Sequence, residues 1–112
     1  MKEFNSQICT TREQSERLLA LGLKKKTADM GIYYSELYGV DRVFPNDVFD
    51  EKSTFDSDEI PAWSLHRLMC LCFNSGATHV ELFEDDDAYE ILIYKIEIRI
   101  KEGYFNKEYL EA

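Results

Sequence analysis

Asp87-Ala88-Tyr89-Glu90-Ile91-Leu92-Ile93-Tyr94-Lys95-Ile96-Glu97-Ile98-Arg99-Ile100-Lys101-Glu102-Gly103 decides the fold, because it can be read with two periods. Ile91 and Ile93, then Ile96, Ile98 and Ile100, repeat every second residue as in a strand. Tyr89, Leu92, Ile93, Ile96 and Ile100 also make one stripe at helical spacing. The flanks favour a helix over 88–102. Asp87 with Glu90 forms an N-terminal cap pair, and Gly103 supplies a C-terminal stop. Asp85, Asp86 and Asp87 complement the positive pole of such a helix. β-Branched residues cost only about a few tenths of a kcal/mol each in a helix, so packing can override them.

Upstream, residues 64–73 carry the clearest helix start. Ser64 is a good N-cap, with Trp63 before it and Leu68 in the N4 position, the pattern of a hydrophobic staple. Leu65, Leu68, Met69 and Cys72 form its apolar stripe, and Asn74-Ser75-Gly76 ends it. A further helix is expected over 11–21. Thr10 or Thr11 can cap it, with Glu13 or Gln14 in the capping-box position. Gly22 suits a left-handed stop, after which Leu23 can fold back onto Leu18.

The remaining segments are shorter or less regular. Gly31-Ile32-Tyr33-Tyr34 and Thr78–Phe83 read as strands. Residues 39–60 read as a long surface loop, with one helical turn near Asn46–Phe49. Asn106 can cap a last helical turn, with Phe105 and Leu110 as a second staple. The expected fold is one small α+β domain spanning residues 1–112, with three main helices and one to three short strands. An all-α fold is the alternative.

The chain has 112 residues, enough for one core without a metal or disulfide. Its 22 acidic and 13 basic residues give a net charge of −9, which disfavours direct contact with nucleic acid or an anionic membrane. The run Lys24-Lys25-Lys26 is explained by the negative pole of the helix it follows. Cys9, Cys70 and Cys72 are an odd, sparse set that fits a reducing compartment. Met1–Gln7 has no apolar signal core, and no run approaches the roughly 20 apolar residues of a membrane span. The expectation is a cytoplasmic protein.

Three blocks carry a resemblance. Ile8-Cys9-Thr10-Thr11-Arg12-Glu13-Gln14-Ser15, continuing through Leu18–Leu23 to Thr27-Ala28-Asp29-Met30, is the first. Ile60-Pro61-Ala62-Trp63-Ser64-Leu65 is the second, and Gly103-Tyr104-Phe105-Asn106-Lys107-Glu108-Tyr109-Leu110 the third. In this order they resemble a family of short uncharacterised proteins from anaerobic gut bacteria, their prophages and their mobile elements. The resemblance implies a phage or mobile-element setting and a helix before Gly103. It implies no activity. Members of that family usually have a longer stretch, with two strands, where this chain runs from Phe73 to Ala88. The Trp often found in their last long helix has no counterpart here.

No residue set meets the requirements of a catalytic or cofactor site. His66 and Cys70 share a helix face, with Cys72 and His79 close in sequence. A zinc ion wants four ligands, and Cys70 and Cys72 point about 200° apart around a helix. Cys72 is better read as a small core residue and His66 as a solvent-facing one. A cysteine enzyme would need a thiol beside His66 or His79 in a concave pocket. The acidic runs Asp56–Glu59 and Glu84–Asp87 lack the spacing of a calcium loop and read as loop and cap acids. Tyr33, Tyr34 and Tyr38 are the candidate interface residues, since Tyr is enriched where proteins meet. The leading expectation is a non-enzymatic accessory protein that binds a protein partner or self-associates. An acidic decoy of a DNA-binding protein and a small cysteine enzyme are the alternatives. No cofactor and no metal are expected.

Overall fold

The computed structural model describes residues 7–45, 59–76 and 87–111. The elements run α1 (Arg12–Ala20), β1 (Met30–Ser35), β2 (Val40–Pro45), β3 (Glu59–Ala62), α2 (Leu65–Asn74) and α3 (Ala88–Lys101). Two single 3₁₀ turns, Lys25–Thr27 and Lys107–Tyr109, complete the order. The strands form an antiparallel sheet in the order β2-β1-β3. The fold is therefore α+β, as expected. No helix among the described residues is long and apolar enough to cross a membrane.

The decisive stretch 88–101 is helical. Asp87 Oδ1 accepts hydrogen bonds from the backbone N–H of Tyr89 and of Glu90. Tyr89, Leu92, Ile93 and Ile96 are buried, and Ile100 packs against the same core. The helical stripe thus wins over the two-residue period because its residues all reach one core. Leu18, Leu23, Trp63, Leu68, Leu71 and Phe105 supply the rest of it.

All three helices start and stop on side chains the sequence marks. Thr11 Oγ1 accepts from Gln14 N–H, and Gln14 Oε1 accepts from Thr11 N–H, a closed capping box. Ser64 Oγ accepts from Arg67 N–H. At the end of α1, Gly22 has φ +96°. Gly22 N–H donates to Leu19 O and Leu23 N–H to Leu18 O, which returns Leu23 to the core beside Leu18. Gly103 ends α3 in the same way, with Gly103 N–H on Ile100 O and Tyr104 N–H on Arg99 O.

Residues 39–60 are not simply a loop. Residues 40–45 form β2 and residues 59–60 begin β3, and Pro61 lies in that strand, ahead of α2. The reason is visible in the burial. β2 has no buried residue, so its side chains show no in–out alternation. It is held by pairing with β1, from Met30 opposite Pro45 to Ser35 opposite Val40. The expected helical turn near Asn46–Phe49 and the expected strand at Thr78–Phe83 lie outside the described residues.

Trp63 and Ser64 join the layers. Trp63 is fully buried, and every polar group it carries is paired. Its N–H donates to Thr10 Oγ1 at 3.0 Å, its carbonyl accepts from Thr10 N–H at 2.8 Å, and Nε1 donates to Thr27 Oγ1 at 2.9 Å. Thr27 Oγ1 donates in turn to Lys24 O, and Thr10 and Ser15 share a hydroxyl hydrogen bond. Asp29 accepts from Ser64 N–H at 2.8 Å and from Ser64 Oγ. Arg67 Nε reaches Thr27 O at 2.6 Å. A smaller apolar cluster of Cys9, Ile32, Ile60 and Ala62 seats the sheet, with Leu19 touching both cores. The C-terminal segment closes the other end. Leu23 bridges Leu110, Lys24 N–H donates to Tyr109 O, and Glu111 N–H donates to Gly22 O.

Trp63→Phe deletes the indole N–H bond and leaves a void in a closed core. It is expected to cost about 1–3 kcal/mol, read from the midpoint of a urea titration at unchanged slope. An acid limb is also expected. Hydrogen bonds from Gln14, and then from Arg17, hold the Glu90 carboxyl below the usual glutamate range. Because the folded value is the lower one, this contribution is present at neutral pH and is lost as the pH falls below about 4. The pair is half-exposed, so Glu90→Gln should flatten that limb by no more than about 1 kcal/mol.

Candidate functional site

The β1–β2 hairpin turns over Glu36-Leu37-Tyr38-Gly39. Gly39 takes φ +66°, and its N–H donates to Ser35 O at 2.7 Å. A left-handed residue at this point suits glycine. Among the described residues β2 pairs with β1 alone, and none of its residues is buried. The hairpin therefore carries large apolar side chains into solvent. Leu37 is 84% exposed, Tyr38 64%, Tyr34 56% and Val40 51%.

Strand alternation divides these residues between two faces. Tyr33 and Arg42 are cross-strand partners, so they share one face. The Arg42 guanidinium lies 5.0 Å from the Tyr38 ring centre, and the Tyr33 ring lies 6.0 Å from that of Phe44. This face is a strip of Tyr38, Arg42, Tyr33 and Phe44. Phe44 lies over Gly31, where a Cβ would meet its ring at 2.2 Å. Glycine at position 31 is thus what lets Phe44 lie flat on β1.

Tyr34 points to the opposite face, across from Asp41. There Arg12 grips Asp41 through Nη2 at 2.8 Å and Nε at 3.2 Å, which lowers the Asp41 carboxyl below its usual range. A groove of about 260 Å³ runs beside this pair, lined by Ile8, Cys9, Arg12, Ile32, Asp41 and Val43 among others.

The three tyrosines are thus all exposed but do not form one surface. Tyr33 and Tyr38 meet through Arg42, and Tyr34 stands behind them. The sequence reading missed Leu37, Val40, Arg42 and Val43, because β2 shows no burial pattern. The usable signal was Gly39, a left-handed turn residue between two short apolar runs.

The cysteines separate clearly. Cys72 is buried, with Sγ 4.0 Å from Leu92 O, and burial pushes its thiol up to about 11. Cys9 is buried as well and is raised to about 11, by desolvation first and then by Asp29. Cys70 is half-buried, with Sγ 3.4 Å from Nε2 of the exposed His66. The imidazole expected beside a thiol is therefore present for Cys70, on an outer helix face. His79 lies outside the described residues. No group of three or more His, Cys, Asp or Glu suited to a metal occurs among the described residues. Of the acidic runs, Glu59 lies in β3 and Asp87 caps α3. Lys24, with Lys107, Leu110 and Glu111, lines a shallow depression where the C-terminal segment docks.

No family model, no curated protein and no solved structure matches the chain.

A thiol reagent such as a chromogenic disulfide should react quickly with Cys70 and slowly with Cys9 and Cys72. In denaturant all three should react together, and Cys70→Ser should remove the fast phase alone. The two buried thiols also set an alkaline limb. Their folded values are raised from 9.0 to about 11. Their contribution to stability is thus intact below pH 9 and is lost as the pH rises towards 11.

Proposed function

We propose that this chain is a non-enzymatic accessory protein, carried by a phage or mobile element of anaerobic gut bacteria, that acts by binding another protein through the β1–β2 hairpin. The observation that carries the reading is the strip of Tyr38, Arg42, Tyr33 and Phe44, continued by Leu37 and Val40 at the turn. Tyr and Arg are the residues that most often anchor protein interfaces. A rigid aromatic ring loses little conformational freedom on binding, and an Arg stacked on it is already oriented. Isolated apolar residues on a surface are ordinary, but a contiguous set at the end of a projecting element points to recognition. The phage or mobile-element setting is supported by the three sequence blocks and their order.

Many exposed side chains at one tip also make the test clean, since the core does not depend on them. A photo-crosslinking residue at Leu37 is introduced into the full chain, which is then exposed to lysate of the native host. One defined adduct is expected. Leu37→Asp with Tyr38→Ala should weaken its capture by more than about tenfold, the loss of a single strong anchor. Lys25→Ala, away from the hairpin, should leave it unchanged, and melting temperatures should agree. Equal capture by the hairpin variant and the parent would overturn the reading.

A further inference from the structure

The outer face of α2 places two metal-binding atoms within one coordination sphere of each other. His66 and Cys70 are four residues apart, so they stand one turn apart on the same side of the helix. Cys70 Sγ and His66 Nε2 are separated by 3.4 Å. Zinc holds thiolate sulfur at about 2.3 Å and imidazole nitrogen at about 2.0 Å, and at a tetrahedral angle two such ligands lie about 3.5 Å apart. The pair is already spaced as half of a tetrahedral site.

The pair has no other task in the fold. Among the described residues neither side chain makes another hydrogen bond. Neither belongs to the apolar core, whereas Cys72 does. The angle that rules out a one-chain site shared with Cys72 leaves His66 and Cys70 untouched. Among the described residues one chain offers two ligands here, which leaves two positions of a tetrahedral ion for other donors. A closed zinc site takes four nitrogen or sulfur ligands. The same pair from a second copy supplies them, as two thiolates and two imidazoles around one ion. Phe73, 45% exposed and three residues after Cys70, lies beside this pair on α2 and would meet the second copy there.

We infer that His66 and Cys70 form half of a zinc site, completed by His66 and Cys70 of a second copy of this chain. Each thiol releases its proton to solvent on binding, and each imidazole binds neutral, so affinity rises with pH. This does not rest on the role of the hairpin, which is a different surface.

Cobalt(II) chloride is the probe, added to the reduced full chain. Tetrahedral visible absorption with a sulfur-to-metal charge-transfer band is expected in the micromolar metal range. It should saturate at one cobalt per two chains, and zinc should displace it. Sedimentation should show a monomer converting to a dimer over the same titration, reversed by a chelator. His66→Ala and Cys70→Ser should each abolish both signals with an unchanged circular dichroism spectrum, and His79→Ala should leave both in place. Saturation at one metal per chain, metal-independent sedimentation, or binding that survives in either variant overturns the site.

Discussion

The structure depends on one joint, the dipeptide Trp63-Ser64 between β3 and α2. Burying an indole is favourable only if its N–H finds an acceptor, and Thr27 Oγ1 provides one. The same two residues bind Thr10 before α1, Thr27 and Asp29 before β1, and the first turn of α2. Three stretches of the chain, at residues 10, 27–29 and 63–67, therefore share one set of satisfied, buried or partly buried polar groups. A network of this kind is cooperative, since losing one member strands its partners in a low-dielectric interior. It ties β3 and the start of α2 to the segments before α1 and β1.

Burial falls away with distance from this joint. With β3 anchored at Ala62 and Trp63, β1 lies beyond it and β2 beyond β1. Each step away from the joint reduces burial. β3 is almost wholly buried, β1 half so, and β2 not at all. The hairpin side chains are exposed because burial stops within β1. Among the described residues β2 is the outer strand, and exposed Asp41 and Arg42 break its apolar run and so oppose uncontrolled strand pairing. Arg12 also ties the hairpin back to α1 through Asp41.

Much of the helical framework was legible before any coordinates. Ser64 with Trp63, Gly22 with Leu23, and Asp87 with Gly103 each mark a helix end through a hydrogen bond made within a few residues. Such local chemistry needs no knowledge of the rest of the chain. The strands were harder. β2 is made by its neighbour, and nothing in Val40–Pro45 alternates, because neither face of that strand reaches the core. The contact of Leu110 with Leu23 was equally hidden, since it joins residues at opposite ends of the sequence.

The sequence by itself marked two helices with their caps and stops, and favoured helix over strand for the stripe of Leu92, Ile93 and Ile96. It also singled out Tyr33, Tyr34 and Tyr38 without saying which of them face one another. Only the tertiary structure decided that Arg42 gathers Tyr33 and Tyr38 on one face while Tyr34 turns away. The physical reason is range. Caps and helical stripes are set by neighbours three or four residues apart, whereas strand pairing and burial are set by whatever the whole chain brings alongside.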